Sequence, residues 1–590
     1  MTRFDPILPF VLLDDVRQGT ARLFTGLGET IDATTMAEIR PALDRLRAAA
    51  GEVAGFIGFE AGYGLEPKLA GAGPRDPAEG ATDGLPLMWF GRFATAMHLT
   101  RADGDDPVDA LLAAFAGPGG GGPAVPSIDA ASYIASVEAI KALIAAGDIY
   151  QANLTFAATI ATLGHPLALY RRLRRAQAAP YSALIHTGRA WILSFSPELF
   201  FELRGNALTT RPMKGTAARG VTRSADDAAA AALAADPKNR AENLMIVDLL
   251  RNDLARVAVS GSVAVPALFD VERYPTLLQM TSTITATARA GIGAVDVIEA
   301  IFPCGSITGA PKIRAMEIIA ATEPTPRGLY TGSIGSIGAD GNASFNVAIR
   351  TLVMTGRNRA RIGLGAGIVA DSDPLSEWCE CLSKAAFLNR RPPPDLIETM
   401  RVEDGRVPLL ARHLDRLAAS AGFLGHRFDR DAICAAVLAA AAAVSGGGAR
   451  LRLLLAPSGA LSLQLGALPP PPSTPVIVAA VPLPVDAADW RLRHKTSDRC
   501  FYDAARAASE VFEVLFVLPD GRLTEGSFTS LFVRRDGRLL TPSGPLLPGV
   551  LRAELLACGA AEEAELRVGD LGGGLLIGNA LRGLIPAVLR

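Results

Sequence analysis

Apolar residues recur along this chain with two different periods, and the switches between them outline its elements. In residues 132–146, Ile134, Val137, Ile140, Leu143 and Ile144 fall on one helical stripe, and Gly147 suits the stop. The next run, 149–160, alternates as a strand does. Tyr150, Ala152, Leu154 and Phe156 point one way, and Gln151, Asn153 and Thr155 the other. A polar strand face is ordinarily solvated, but three amide and hydroxyl groups in a row also suit the lining of a site. Residues 239–251 read as a helix with Met245, Ile246 and Leu249 in the core and Glu242 one turn before Ile246. Asp373 and Pro374 supply an N-cap and a first helical residue, and Glu377, Glu380 and Lys384 then share one face of that helix. Taken alone, Glu380 and Lys384 are an ordinary surface pair.

Two breaks interrupt these patterns, GPGGGGP at 117–123 and RRPPP at 390–394, the second a stiff spacer. SGGG at 445–448 reads as a loop. The division expected is residues 1–391, comprising an N-terminal segment (1–120) and a core (127–391), then a proline linker at 392–395 and a second domain at 396–590. A chain of 590 residues buries large cores without disulfide or metal staples. Its Lys+Arg of 58 against Asp+Glu of 60 excludes a nucleic-acid surface spread over the whole protein. The longest apolar stretch, 433–444, is mostly alanine and too short to span a bilayer. The N-terminal apolar run is broken by Pro9 and closed by Asp14 and Asp15, unlike a signal peptide. The six cysteines have no framework or zinc spacing. A cytoplasmic protein with reduced thiols, no membrane contact and no nucleic-acid partner is the expectation.

Only seven of the 58 basic residues are lysines, so a retained lysine draws notice where amine chemistry is needed. Four of them, Lys214, Lys312, Lys384 and Lys495, lie within distinctive strings. The first half carries GDIYQANLT (147–155), SPELFF (196–201), TRPMKGTAARG (210–220), AENLMIVDLLRNDLARV (241–257), GSITGAPKIRAMEII (305–319), RGLYTGSIG (327–335), FNVAIRTL (345–352) and GAGIVADSDPLSEWCECLSKA (365–385). In this order they resemble the chorismate-utilising enzymes, a family that includes anthranilate synthases and aminodeoxychorismate synthases. A weaker likeness extends through GFIGFEAGYGLEP (55–67).

Chorismate is a dicarboxylate whose ring hydroxyl must be displaced, which calls for a metal, fixed cations and a proton donor. The resemblance implies Glu242 and Glu380 as Mg²⁺ ligands with Glu377 close by, a set of hard oxygen donors. It implies Arg350, Tyr330, Lys384 and the amides of Gly365, Ala366 and Gly367 as grips on the substrate carboxylates. Glu198 matches the general acid that protonates the departing hydroxyl. Gln151 stands where isochorismate and salicylate synthases carry a lysine base, and a glutamine cannot activate water. Lys214, flanked by Gly215 and Thr216 in the substrate site, stands where anthranilate synthases have a small residue. In aminodeoxychorismate synthases this lysine is a covalent nucleophile, a role that needs a lowered pKa. The loop GSITGAPK leads into a helix at Ile313 and suits an anion, with Cys304 packed in it as a small residue. No cysteine sits on a glutaminase-type elbow, so ammonia is expected from a separate glutamine amidotransferase subunit.

The second half contains LIETMRVEDGRVPLLARHLDRL (396–417), RLRLLL (450–455), HKTSDRCFYDAAR (494–506), LTEGSFTSLFV (523–533), LLPGVLR (546–552) and IGNALRGLIP (577–586). It resembles the fold-type IV pyridoxal-phosphate enzymes, which include lyases and aminotransferases. Lys495 is the only lysine after residue 384, so it alone can bond the cofactor aldehyde. Glu525 matches the carboxylate facing the pyridine nitrogen. Arg416 matches the phosphate-binding arginine, with Gly549, Val550 and Leu551 as backbone donors. The strand and Gly-rich stretch that usually precede ETM in this family give way here to the proline linker.

Together the resemblances imply an α+β chain, a β-sandwich/α chorismate-utilising part followed by a two-lobed α/β fold-type IV domain. They imply bifunctional synthesis of 4-aminobenzoate: ammonia and chorismate to 4-amino-4-deoxychorismate, then elimination of pyruvate. Two rivals remain. One is an anthranilate synthase fused to an amino-acid transaminase; the other makes the second half a non-catalytic docking module.

Overall fold

The computed structural model describes residues 4–73, 84–100, 106–115, 117, 119–220, 223–274, 277–389, 393–444 and 448–590. Parts of all three expected breaks (Pro118, 390–392 and 445–447) lie outside the described residues. The chain divides into two compact units: Met1–Ala218 with Ala229–Pro392, and Arg219–Ala228 with Pro393–Arg590.

In the first unit, hydrogen bonding threads strand to strand through one long antiparallel system. Strand Gln151–Leu163 pairs with Arg359–Ile368, which pairs with Thr351–Gly356. The ladder continues through Trp191–Ser196, Tyr181–His186 and Phe10–Asp15 to Thr20–Ala33. Met88–Thr100, Glu52–Ile57 and Ser333–Ile337 extend it. Strands before the Gly-rich break thus pair with strands after it, and the break lies inside one unit. Separate apolar clusters form against this system, one around Ile246, Ile298 and Phe345 and another around Leu154, Phe195 and Ile362.

Local signals act as their chemistry dictates. Asp129, Asp236 and Asp373 each cap a helix by accepting from the backbone N–H three residues on. The helices are Ala130–Ala145, Pro237–Ala255 and Pro374–Ser383. The strand expected from residue 149 begins at Gln151, and its alternation is corrected at one place. Tyr150 is 71% exposed rather than aligned with Ala152, Leu154 and Phe156. Its N–H donates to O of Ala310, the ladder partner of Gln151, where the pairing begins. Gln151, Asn153 and Thr155 are all buried, so the polar strand face is withdrawn from solvent.

The second unit has two lobes. Strands Leu396–Val402, Ala449–Leu455 and Leu461–Ala467 form a three-stranded antiparallel sheet, and its core packs on helices Leu410–Leu424 and Arg430–Ala442. An eight-stranded mixed sheet, with the parallel pairs Val476–Pro482/Glu513–Val517 and Val476–Pro482/Gly583–Leu589, builds the other lobe.

Deep in the first unit Arg174 donates to Asp14 at 2.6 and 2.9 Å and to Asp106 at 3.0 Å, and Tyr170 donates to Asp14. The Arg174 and Asp14 side chains are at most 1% exposed. Removing one partner from such a pair strands a buried charge, at a cost of about 3–5 kcal/mol. Arg174→Ala is therefore expected to lower the urea midpoint of this unit strongly. Tryptophan fluorescence reads it well, because Trp89, Trp191 and Trp378 lie here; an unchanged midpoint would show that the pair contributes nothing net.

Candidate functional sites

The first unit gathers its chemistry on three elements. The polar face of strand Gln151–Leu163 contributes Gln151. Strand Met213–Ala218 contributes Lys214, and strand Arg359–Ile368 contributes Gly367. They meet closely: a Cβ added at Gly367 would lie 2.9 Å from both Gln151 Nε2 and Lys214 Nζ. Gln151 Nε2 is buried with no hydrogen-bond partner among the described residues, an amide donor left for something the protein does not supply. Gly363, on the same strand, leaves no room for a side chain because the Tyr330 ring would sit about 2.0 Å from its Cβ.

Glu198 is buried, and Ser306 Oγ donates to its Oε1 at 2.7 Å. Desolvation pushes its pKa up to about 7, against the opposing pull of the Ser306 hydrogen bond and the Lys214 charge. Lys214 shifts the other way: burial and then the Lys384 charge lower its pKa, while Glu242, Glu198 and Glu380 pull it back. Burial thus moves an acid and an amine toward one another on the pH scale, the arrangement that proton transfer uses. Ser306 went unassigned at the level of sequence although it lies within GSITGAPK. The loop holds Ser306 on Glu198, and Lys312 is spent structurally, donating to Asp253 Oδ2 and Ile301 O. Cys304 packs there as a small buried residue, its thiol pushed up to about 12 by desolvation.

Lys384 donates to Gly365 O and to Glu380, each at 2.8 Å. Its charge is the main influence that lowers the Glu380 pKa against desolvation, whereas desolvation raises that of Glu377, which accepts from Ser372 Oγ at 2.7 Å. The Glu242 and Glu380 charges also raise Glu377, so the three carboxylates share one field. No group of three or more such ligands is preassembled among the described residues. A hydrated Mg²⁺ needs only one or two carboxylates, with water and substrate oxygens completing its shell, and this all-oxygen set suits it. Beyond Ile362, among the described residues, strand Arg359–Ile368 pairs only with Gln151–Leu163, so alternate amides of Gly365–Gly367 are left outside the ladder. Arg350 donates to Gln177 Oε1 at 2.9 Å and, among the described residues, makes no ion pair with a carboxylate; burial lowers its pKa. Gly215 O accepts from Gln279, and Thr216 is exposed.

A buried network fixes these parts. Arg327 binds Glu323 through two hydrogen bonds, at 2.9 and 2.7 Å, and donates to Asn153 O and Ile307 O. Glu323 accepts from Thr155 N, and Glu60 from the N–H groups of Arg327 and Gly328.

The second unit holds a cavity of about 450 Å³ containing Lys495, Arg416, Glu525, Gly549 and Val550. Desolvation, then the Arg416 charge, lowers the Lys495 pKa to about 7. Glu525 is raised to about 7 by burial, and accepts from Tyr502 Oη at 2.5 Å and from Leu547 N at 2.9 Å. Tyr502 lies in the same string as Lys495 but had no periodic or spacing signal of its own. Arg416 makes a bidentate pair with buried Glu398 at 2.8 and 2.6 Å, and His413 Nδ1 lies 2.7 Å from the same carboxylate. Gly549 is the N-cap of helix Val550–Ala557, and a Cβ there would meet Ser530 Oγ at 2.3 Å. Leu551 is the second residue of that helix, so its backbone N–H has no intrahelical partner, while its side chain packs near Gly578. One neutralisable amine, a facing carboxylate, and an open helix N-terminus near an arginine fit pyridoxal phosphate.

Comparison with known proteins agrees with this division. Residues 9–390 match the chorismate binding enzyme family and residues 395–589 the class IV amino-transferases. Aminodeoxychorismate synthase component 1 of Bacillus subtilis is 44% identical over 255 residues, 43% of this chain and 54% of that protein. Anthranilate synthase component 1 of Methanothermobacter thermautotrophicus is 42% identical over 253 residues, with the same coverage of 43% and 54%. The chain therefore spans about half the length of these curated relatives. The crystal structure of anthranilate synthase component I from Streptococcus pneumoniae aligns with a TM-score of 0.53 at 26% identity, covering 66% of this chain and 94% of that one. Among the described residues no helix is long and apolar enough to cross a membrane. The chain belongs to the chorismate binding enzyme family and carries a class IV amino-transferase domain behind it.

Proposed function

We propose that the chain makes 4-aminobenzoate from chorismate and ammonia in two steps, one in each unit. The observation that carries the first step is the desolvated Lys214 amine beside Gln151 and Gly367, within the field of Glu198. In this reading Lys214 adds to the chorismate ring as the hydroxyl leaves, taking a proton from Glu198. Ammonia then adds at C4, the lysine is expelled, and 4-amino-4-deoxychorismate results. Gln151 donates to substrate rather than activating water. Arg350, Lys384 and the Gly365–Gly367 amides grip the carboxylates, and Tyr330 forms a wall. Glu242 and Glu380, with Glu377, hold Mg²⁺, which supplies a positive charge to the substrate's ring carboxylate.

Ammonia comes from a separate glutamine amidotransferase. The Bacillus subtilis relative is named a component 1, and no cysteine of this chain stands on a glutaminase elbow. In the second unit Lys495 and Glu525 hold pyridoxal phosphate, with its phosphate at Arg416, Gly549 and Val550. When bound, that cofactor supplies an electron sink for the substrate amine carbon. Lys495 takes the C4 proton as pyruvate leaves, and its lowering to about 7 keeps a large share of the amine neutral at that pH, which suits it to the task.

Incubation with chorismate, ammonium and Mg²⁺ should yield 4-aminobenzoate, and Lys214→Ala should reduce the first step by roughly a thousandfold or more, as loss of a nucleophile does. Anthranilate as the product would instead favour the anthranilate synthase reading, which relatives of that name keep open.

Glu198 must be protonated to act, so the rate of the first step should fall as pH rises through about 7. Glu198→Ala should lower it by roughly 10²–10⁴-fold and abolish that limb of the profile. A flat profile across pH 6–8 in the wild-type protein would contradict the acid role.

Lys495 is neutral above about pH 7, the reverse sense. Uptake of pyridoxal phosphate, followed as visible absorbance, should accelerate between pH 6 and 8. Borohydride should then fix the cofactor to the Lys495 peptide. A wild-type chain that takes up no cofactor would favour the docking-module reading.

A further inference from the structure

We propose that Arg450, Arg452 and Arg582 form a carboxylate-binding wall in the second unit, selecting an amine that carries two carboxylates over ordinary monocarboxylate amino acids. The proposal rests on reading this cavity as the pyridoxal-phosphate site. Strand Ala449–Leu455 alternates strictly: Leu451, Leu453 and Leu455 enter the lobe core, while Arg450 and Arg452 lie on the opposite face. Both border the cavity that contains Lys495, as does Arg582.

These arginines lack counter-ions: among the described residues none of the three forms an ion pair with an Asp or Glu, whereas Arg416, Arg491, Arg499 and Arg506 on the same walls each do. Arg450 Nε is buried without a hydrogen-bond partner. Among the described residues the Arg582 guanidinium donates to one backbone carbonyl, Pro470 O, and lies over the Phe512 ring. Arg450 also stands directly opposite Arg401 in the ladder. Arg401 is neutralised by Glu403 at 2.6 Å, so among the described residues Arg450 is the member of that cross-strand pair left without a counter-ion.

The wall also lies near the reacting amine, since the Arg452 charge is among those lowering the Lys495 pKa. Arg416 and the helix N-terminus at Gly549 already account for one phosphate. The remaining unpaired cations therefore suit carboxylates of a second molecule. A guanidinium presents a planar fork to each, and three guanidiniums suit a rigid dicarboxylate better than a single carboxylate.

The test uses the full chain loaded with pyridoxal phosphate, with isophthalate and benzoate as rigid two- and one-carboxylate probes, and binding read from the visible cofactor band. Isophthalate should bind at least tenfold more tightly than benzoate. Arg450→Gln and Arg452→Gln should each erase most of that preference while borohydride still fixes the cofactor at Lys495, and Arg452→Lys should restore part of it. Equal affinity for the two probes, or a preference that survives in the Arg450→Gln/Arg452→Gln double variant, would overturn the proposal while the cofactor reading stands. Failure of the wild-type chain to take up the cofactor would sink both.

Discussion

One buried ion pair, Glu323 with Arg327, holds the first site in register. Its side chains are 5% and 1% exposed, and its spare valences reach elements far apart in the chain. Arg327 binds the carbonyls of Asn153 and Ile307, and Glu323 binds the Thr155 amide. Strand Gln151–Leu163 and the 305–310 loop are thereby fixed to the same guanidinium. The strand presents Gln151, and the loop presents Ser306 to Glu198. Glu60 and the Phe59 ring, 4.2 Å from the guanidinium, enclose it from the N-terminal strands. A charge pair this deep is costly unless every hydrogen bond is made, which makes it a demanding clamp.

Desolvation acts on both units with the same outcome. It raises Glu198 and lowers Lys214 in the first, and raises Glu525 and lowers Lys495 in the second. Three of the four come to rest near pH 7, where a group can give or take a proton with little bias. Neighbouring charge modulates the result, through Lys384 for Lys214 and Arg416 for Lys495, but burial is the larger cause in each case. The two units share no fold, and burial of a short polar segment produces the shift in both.

The sheets account for how these segments come to be buried. A strand with a single apolar face would leave Gln151, Asn153 and Thr155 in water. Here all three are buried, and the strand's edge is closed by its ladder pairing with Gly309 and Ala310 and by backbone hydrogen bonds to the Glu323–Arg327 pair. In the second unit the three-stranded sheet keeps one face in its lobe core and turns the other, with Arg450 and Arg452, to the cavity.

Much of this was legible from local pattern. Helix caps at Asp129, Asp236 and Asp373, the two-residue alternation through Phe156 and the shared face of Glu377, Glu380 and Lys384 depend only on near neighbours, and they stand as the spacing implies. The two-domain α+β division followed from motifs in sequence order. Other features could not be read this way. Tyr150 is exposed because the ladder begins only at Gln151, opposite Ala310 far along the chain. Ser306 and Tyr502 gained roles through contacts with Glu198 and Glu525 that no period encodes. Arg450 and Arg452 sat in a string already singled out, yet their lack of counter-ions appears only once every carboxylate around them has a position. Sequence by itself determined which chemical groups exist and which helical or strand face each occupies, because those follow from backbone geometry over a few residues. Only the tertiary structure decided which groups lose water, which charges find partners and which amine meets which glycine, because desolvation and Coulomb energies depend on distances between segments remote in the chain.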